Sequence, residues 1–154
     1  SLYAVLMKPW FEPSLAYRFR RTDFTPAPNV EVVMLRLRKR GPPLVSRRDR
    51  QFFRDFVVFG FSAWQPSLRT TLRSILSARQ LALMDVNAEI DLDVTPSSVR
   101  FEQWLHLFHL FKSAGDAHAR TLILGSEQHL RAQQAGLDKL HRARVRRDRS
   151  AHAH

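Results

Sequence analysis

Arginine-rich clusters are the feature of this sequence most suited to chemistry, and that chemistry is the binding of anions. The chain has 25 Lys and Arg against 14 Asp and Glu, which gives a formal net charge of +11. A guanidinium group can bind a phosphate or a carboxylate through two hydrogen bonds at once. The excess therefore favours an anionic partner: RNA, an acidic lipid surface or an acidic protein surface. Together with the aromatic Trp10, the candidate partner-binding residues are Arg18, Arg20, Arg21, Arg47, Arg48, Arg142, Arg144, Arg146, Arg147 and Arg149.

Acidic residues alternate with apolar ones in "DVNAEIDLDV", residues 85–94. On a strand, side chains that face the same way lie about 7 Å apart, which is too far for neighbouring carboxylates to share one cation. We therefore expect these carboxylates to pair with the basic side of another strand, at Arg36 and Arg38, rather than to bind a metal. The acidic residues concerned are Asp85, Glu89, Asp91 and Asp93.

A histidine pair is the other candidate for metal binding. His106 and His109 are three residues apart on a predicted helix. A zinc ion would need a third ligand, and only Glu102 lies one helical turn away. We expect these histidines to be structural or surface residues, and we expect the protein to hold no metal and no other cofactor.

The sequence lacks the motifs of common catalytic sites. It has no cysteine, so disulfides, thiolate metal sites and cysteine nucleophiles are excluded. Its five glycines are scattered singly, and no GxSxG, P-loop or GxGxxG pattern occurs. These absences predict a protein that is not an enzyme and has no small-molecule substrate.

A strand is predicted at residues 30–38, in the first half of the chain. The apolar Val33, Leu35 and Leu37 alternate there with a side that carries Arg36 and Arg38, which is typical of a strand with one basic face. This strand would present the basic residues that the acidic strand at 86–94 opposes.

The segment at about 48–64 fits either a helix or a buried strand, because it is dense in aromatic and β-branched residues. The helix is favoured, since Ser46 and Asp49 could cap it and Gln65-Pro66 would end it. Residues 67–84 also stay open between helix and strand. Their helical spacing comes from Leu68, Leu72, Ile75 and Leu76.

Two further helices are predicted after the acidic strand. Thr95 could cap the first of them with Pro96 at its first position, and Gly115 would end it. Asp116 would start the second, which runs into the Arg-rich tail. The apolar face of the first helix comprises Phe101, Trp104 or Leu105, Phe108 and Phe111.

Both ends of the chain are predicted to need a partner. Residues 1–29 mix aromatics with four of the eight prolines, which favours an ordered arm that lies on another surface. Residues 140–154 have little apolar surface to bury, so their own chain cannot offset the entropy of ordering them. We expect both segments to lie on neighbouring subunits.

No apolar stretch approaches the roughly 20 residues that cross a bilayer.

The order of elements resembles a known family. It is similar to the thioredoxin-like domain shared by two mitochondrial ribosomal proteins and a small matrix-arm accessory subunit of respiratory complex I. The similarity lies in "RQFFRDF" at the start of the first helix, in the "QPSL" break and in "IDLDVTPSSV". It covers about residues 30–112.

This resemblance implies an α+β fold, with a thioredoxin-like mixed sheet flanked by helices. The predicted domains are an N-terminal arm (1–29), a thioredoxin-like core (30–112) and a C-terminal helical extension with a basic tail (113–154). The implied function is a non-catalytic accessory subunit of complex I on the matrix side of the mitochondrion, docked on neighbouring protein subunits. A mitochondrial ribosomal protein that contacts rRNA is the alternative, and a peripheral protein on an anionic lipid membrane is the third.

Overall fold

The computed structural model describes residues 1–62 and 67–137, which belong to two compact units. The hairpin unit comprises Ser1 and Tyr3–Arg50, and the helical unit begins at Gln51 and includes Leu2. Whether residues 1–29, 30–112 and 113–154 fold as separate domains stays a prediction.

The hairpin unit is built on one antiparallel pair of strands. Helix α1 (Leu2–Met7) leads into strand β1 (Phe11–Arg18), and a 14-residue loop with a 3-10 turn connects β1 to β2 (Val33–Lys39). Leu15 lies opposite Leu35, and a bulge follows between Leu15 and Tyr17. The strand predicted at 30–38 is present.

The predicted arm at 1–29 is wrong as an extended segment. Residues 11–18 find a partner strand in β2, which takes up part of their backbone hydrogen bonds within the unit. Arg40 adds to this closure, since its N–H donates to Trp10 O at 2.9 Å and its guanidinium Nε donates to Lys8 O at 2.8 Å. Residues 11–18 thus form a strand of the hairpin, and the expectation that residues 1–29 lie on another surface stays a prediction.

The helical unit contains the remaining described elements. The first helix, α2, confirms the helix favoured over a buried strand. Residues 67–84, which the sequence left open, contain two helices. The predicted apolar positions are all buried, Leu68 and Leu72 in the first helix and Ile75 and Leu76 in the turn that follows it. The elements are α2 (Arg50–Ser62), α3 (Leu68–Leu72), α4 (Ala78–Asn87), a 3-10 turn (Pro96–Ser98), α5 (Phe101–Ala114), α6 (Ala117–Ile123) and α7 (126–137).

Aromatic packing between α2 and α5 forms the core of the helical unit. Phe56 stacks on Phe111 with ring centroids 5.0 Å apart, and Phe53 meets Phe108 edge-on at 5.2 Å. These four rings and Trp104 are fully buried. The helical spacing of the apolar residues in α5 predicts this face.

The strand predicted at 86–94 is wrong, and the thioredoxin-like mixed sheet is wrong with it. Among the described residues the only sheet is β1 with β2. Helix α4 continues to Asn87, and the segment that follows packs along α3, where the Leu68 N–H donates to Val94 O and the Arg69 N–H donates to Leu92 O. The sequence alternates because this irregular segment buries the side chains of Ala88, Ile90 and Leu92. The acidic residues between them are exposed.

The predicted helix starts and stops are partly as expected. Thr95 and Pro96 open the 3-10 turn, and α5 begins later, after Arg100. Gly115 ends α5, and the Asp116 carboxylate accepts the Ala119 N–H at 2.7 Å to cap α6. The stop signal at Gln65-Pro66 and the Arg-rich tail lie outside the described residues.

Candidate nucleic-acid interface

The basic excess is concentrated in part of the chain. Residues 1–50 contain 11 Lys and Arg against four Asp and Glu, a net charge of +7. Residues 51–137 contain eight of each and are neutral. An anionic partner is therefore attracted to the hairpin unit and not to the described part of the helical unit.

The loop between β1 and β2 encloses a cavity of about 280 Å³, which we name the loop cavity. Phe19 and Phe24 provide its aromatic surface, with ring centroids 5.3 Å apart, and Tyr17 packs edge-on against Phe19 at 4.9 Å. Cationic side chains share the lining. They are Arg18, Arg20 and Arg21.

Local hydrogen bonds fix the shape of the loop. Arg18 pairs with Glu31 at 2.9 Å across the base of the loop, and Arg21 Nε donates to Pro28 O at 3.0 Å. The Asp23 carboxylate accepts the Arg20 N–H at 2.8 Å and closes the 3-10 turn. The loop cavity is thus a preformed site that combines aromatic faces with cations.

Such a site can hold an unpaired nucleotide. A base stacks on an aromatic ring, while guanidinium groups lie against the flanking phosphates. Phe24 is 36% exposed, so its ring is accessible for stacking.

Further cations of the hairpin unit have no acidic partner. In the part of the chain that the structure describes, Arg36, Arg47 and Arg48 are exposed and form no ion pair. By contrast, Arg38 and Arg40 both pair with Glu12, and the hydrogen bond from Arg38 lowers the pKa of that carboxyl below its ordinary value. The unpaired cations are the ones free to contact phosphate.

The candidate partner-binding residues fall into three places. Arg18, Arg20 and Arg21 meet at the loop cavity, and Arg47 and Arg48 lie in the turn before α2. Trp10 is half-buried, with the Arg50 guanidinium 5.2 Å from its ring centroid. Arg142, Arg144, Arg146, Arg147 and Arg149 lie outside the described residues. All of these assignments stay predictions.

Two aromatic residues of the cavity were missed from the sequence. Phe19 and Phe24 were assigned to the arm at 1–29 and given no role. The signal was present in "YRFRRTDF", residues 17–24, where aromatic and arginine residues interleave. Interleaving of this kind is typical of single-stranded nucleic-acid sites.

Two of the acidic residues form ion pairs with an arginine other than those expected, and the two histidines lie on the surface, one of the two placements expected for them. Asp85 and Asp93 pair with Arg69, at 2.7 and 2.9 Å, so the expected pairing with the basic face of β2 is wrong. His106 and His109 are exposed on α5. No three His, Asp or Glu side chains of the described ranges are placed to hold a metal ion.

None of the described helices has the length and apolarity to span a bilayer.

Curated relatives match most of this chain. An rRNA methyltransferase of Streptomyces thermotolerans is 34% identical over 108 residues, which is 70% of this chain and 36% of the relative. An rRNA adenine N-6-methyltransferase of Aeromicrobium erythreum is 32% identical over 115 residues, 73% of this chain and 33% of the relative. The chain spans about a third of the length of these relatives.

A solved structure matches as well. The chain is similar to the 23S rRNA methyltransferase ErmE, with a TM-score of 0.63 and 26% identity over 73% of this chain and 46% of that one. The two-stranded sheet and the helices of this chain therefore match part of a methyltransferase fold.

These relatives overturn several expectations drawn from the sequence. The resemblance to mitochondrial ribosomal and complex I proteins is wrong, and so is the mitochondrial location, because the relatives are bacterial rRNA methyltransferases. The expectation of a non-catalytic accessory subunit is wrong for the same reason. No relative supports neighbouring complex subunits or an anionic lipid surface as the partner.

The family model that matches this chain is described as ribosomal RNA adenine dimethylase, and the match covers residues 2–113. It includes the whole hairpin with its loop cavity, and the helical unit through α5. The chain belongs to the ribosomal RNA adenine dimethylase family.

Proposed function

We propose that this chain acts in the methylation of adenine in ribosomal RNA, and that its hairpin unit holds the RNA. The loop cavity is the observation that carries the proposal, because it places two aromatic rings among three arginines. The names of the relatives supply the substrate class, since they are rRNA adenine N-6-methyltransferases.

The chemistry of the substrate fits the loop cavity. An enzyme that modifies a base must take that base out of its stack, and it then holds the base between aromatic or apolar side chains. The exposed ring of Phe24, which packs against Phe19, offers one such stacking surface. The arginines of the cavity lie where the phosphates on either side of an unstacked adenosine can reach them.

The charge distribution supports the same surface. Phosphate contacts provide most of the affinity of proteins for RNA, and they depend on an excess of cations. Within the described residues that excess lies in the hairpin unit, where Arg36, Arg47 and Arg48 have no acidic partner. The neutral described part of the helical unit offers no such attraction.

Removal of the Phe24 ring tests the role of the loop cavity. We expect Phe24→Ala to weaken binding of a single-stranded, adenine-containing RNA about tenfold, since stacking one base is worth about 1–3 kcal/mol. The measurement is fluorescence anisotropy with a labelled oligonucleotide at several salt concentrations. The salt dependence should not change, because no cation is lost.

The control for this test is Phe11→Ala. Phe11 lies in the same unit and is 37% exposed, close to the 36% of Phe24, but it is on β1 and outside the loop cavity. An equal loss of affinity in both variants, or none in Phe24→Ala, contradicts the proposal.

Neutralisation of the unpaired cations tests the phosphate contacts. We expect the triple variant Arg36→Gln, Arg47→Gln and Arg48→Gln to weaken RNA binding and to reduce the slope of log K against log salt by about 2, since each contact to a single strand contributes about 0.7. The matched control is the triple variant Arg73→Gln, Arg79→Gln and Arg100→Gln, which removes three exposed cations from the helical unit. A larger change of slope in the control would place the RNA on the helical unit instead.

A further inference from the structure

The side chain of Asn29 lines the loop cavity and is exposed to it. Its Oδ1 accepts a hydrogen bond from Arg21 Nη2 at 3.4 Å, and its Nδ2 has no partner among the described residues. Of the described side chains that line the cavity, only that of Asn29 offers both an acceptor and a donor. Neither stacking on Phe24 nor phosphate binding by the arginines uses this amide.

Arg21 fixes the orientation of the Asn29 amide. A guanidinium group carries only donors, so the amide atom that faces it must be the oxygen. Arg21 is itself held in place, because its Nε donates to Pro28 O at 3.0 Å. The ring of Pro28 also restricts the backbone directly before Asn29. The amide therefore presents its acceptor on the side of Arg21 and its donor on the other side.

This fixed order of acceptor and donor matches adenine. Adenine has the amino group N6–H₂ next to a ring nitrogen that accepts, and an asparagine amide can bond to both at once. Oδ1 has two lone pairs, so it can accept from N6 while it still accepts from Arg21. Guanine has the oxygen O6 in place of the amino group. An amide held in this orientation would then direct one oxygen at another, and both groups would lose a hydrogen bond.

A carboxylate in the cavity does not provide the same match. Glu31 accepts a hydrogen bond from Arg18 at 2.9 Å, and an ionised carboxylate has no donor for the ring nitrogen of adenine. Asn29 is therefore the side chain of the lining that fits both groups on the edge of the base.

We propose that Asn29 makes the loop cavity selective for adenine over guanine, and that Arg21 positions the Asn29 amide for this selection. The proposal rests on the proposed function, because it takes the loop cavity to hold the target base. Stacking and charge alone leave the identity of that base open, since every base has an aromatic face and every nucleotide a phosphate. Asn29 determines the identity of the base through direct hydrogen bonds, whereas Arg21 acts through Asn29.

The described residues fit the acceptor base and not the methyl donor. Methylation requires an activated donor such as S-adenosylmethionine, and nucleotide-like cofactors bind at a glycine-rich loop between a parallel strand and a helix. The five glycines of the sequence are at least ten residues apart, and the described residues form only an antiparallel pair of strands. Selection of adenine by Asn29 uses no group of the donor, so binding of RNA alone can test it.

Single-base changes in the RNA test the role of Asn29. The probe is a labelled oligouridine with one central adenine, guanine or unsubstituted purine, and fluorescence anisotropy measures its affinity for the full chain. We expect adenine to bind about tenfold more tightly than guanine, as a bidentate amide contact provides. Unsubstituted purine should also bind more weakly than adenine, because it lacks the amino group that Oδ1 accepts from.

Two substitutions of Asn29 should change this preference in different ways. Asn29→Ala should abolish it, so that adenine and guanine bind equally. Asn29→Asp should reverse it, because a carboxylate has only acceptors and guanine presents the donors N1–H and N2–H₂. The matched control is Val30→Ala: Val30 lines the same cavity and is 70% exposed, but it has no polar side-chain atom, so the preference should stay unchanged. Circular dichroism checks that all variants keep the wild-type fold.

Two arginine variants test the positioning of the amide. Arg21→Gln lets the Asn29 amide turn over, because glutamine can both donate and accept, so the preference for adenine should fall several-fold. Arg18→Gln removes the same charge from the cavity but leaves the contact between Arg21 and Asn29. It should weaken the binding of both RNAs by the same factor and leave the preference intact.

The outcomes separate this proposal from the proposed function. If Phe24→Ala leaves the RNA affinity unchanged, the cavity does not hold the base, and both proposals are wrong. If Phe24→Ala weakens binding but the wild-type chain binds adenine and guanine equally, only the role of Asn29 is wrong. A preference that persists in Asn29→Ala leads to the same conclusion. A preference that falls equally in Arg18→Gln and Arg21→Gln overturns the positioning by Arg21.

Discussion

Replacement of Glu127 by glutamine is expected to lower the free energy of unfolding by about 3 kcal/mol, near the lower end of the range for removing one partner of a buried ion pair. The Glu127 side chain is 7% exposed and accepts two hydrogen bonds from Arg54, at 2.6 and 2.7 Å. Gln51 and Arg131 donate to the same carboxylate. Glutamine removes the charge of Glu127 and leaves Asp55 as the acidic group that still acts on the Arg54 guanidinium. Urea denaturation followed by circular dichroism measures the loss.

The control for Glu127 is Glu102→Gln. Glu102 is exposed in the first turn of α5, so its replacement should change the stability by less than about 0.5 kcal/mol. Equal effects of the two substitutions would show that the ion pair with Arg54 contributes nothing.

The same ion pair sets a dependence on pH. The hydrogen bond from Arg54 is the main cause that holds the pKa of Glu127 at about 2, below its ordinary 4.5. In the unfolded chain the carboxyl takes up a proton first, so its contribution to stability is complete above about pH 4.5 and is lost as the pH falls towards 2. The stability difference between the wild type and Glu127→Gln should shrink over that window. A constant difference would contradict this origin.

Replacement of Gly60 by valine is expected to lower the free energy of unfolding by about 3 kcal/mol, as overpacking of a rigid core does. A Cβ at Gly60 would lie 2.5 Å from Trp104 Cη2 and 3.3 Å from Leu68 Cδ1. Trp104 is fully buried between aromatic neighbours, so a shift of its ring would disturb the packing around it. Thermal and urea denaturation measure the change.

Two further variants separate the steric clash from other causes. Gly136→Val places the same side chain in α7, where nothing lies within 4 Å of the added Cβ, and should be tolerated. Trp104→Phe removes the ring that a side chain at Gly60 would meet, so the double variant should be more stable than the sum of the single effects predicts. Additive effects would show that the two residues do not contact each other in this way.

The sequence predicts the helices better than the sheet because their signals are local. The spacing of Phe101, Phe108 and Phe111 marks the buried face of α5, and Gly115 with Asp116 marks the boundary to α6. Each of these signals lies within one or two helical turns. The apolar face that this spacing marks is also the face that packs in the core, so the local signal and the tertiary structure agree.

The wrong or missing predictions concern segments whose structure depends on residues far away in the sequence. The alternation at 86–94 is that of a strand, but a strand needs a partner, and the partner of β2 is β1. Arg69 of α3 stabilises the segment at 88–94 instead. It forms ion pairs with Asp85, in the helix before the segment, and with Asp93 within it. Likewise Arg54 and Glu127 are 73 residues apart, so their ion pair leaves no local pattern.

The candidate site was predicted in part. Charge density identifies Arg18, Arg20 and Arg21, because an excess of like charge needs no structure to be recognised. Their convergence on Phe19 and Phe24 depends on a loop that closes only when β1 pairs with β2. The enzymatic nature of the family was missed since the chain has no glycine-rich loop.

The unequal distribution of charge also has a kinetic consequence. Residues 1–50 carry a net charge of +7 and residues 138–154 a net charge of +4, whereas residues 51–137 carry no net charge. A polyanion is therefore attracted to these two basic segments before any contact forms, and this attraction orients its collisions with the protein. The Debye length is about 8 Å at physiological ionic strength and about 30 Å at 0.01 M, so this guidance operates fully only in dilute salt. Added salt should therefore slow the arrival of the RNA more than it hastens its departure.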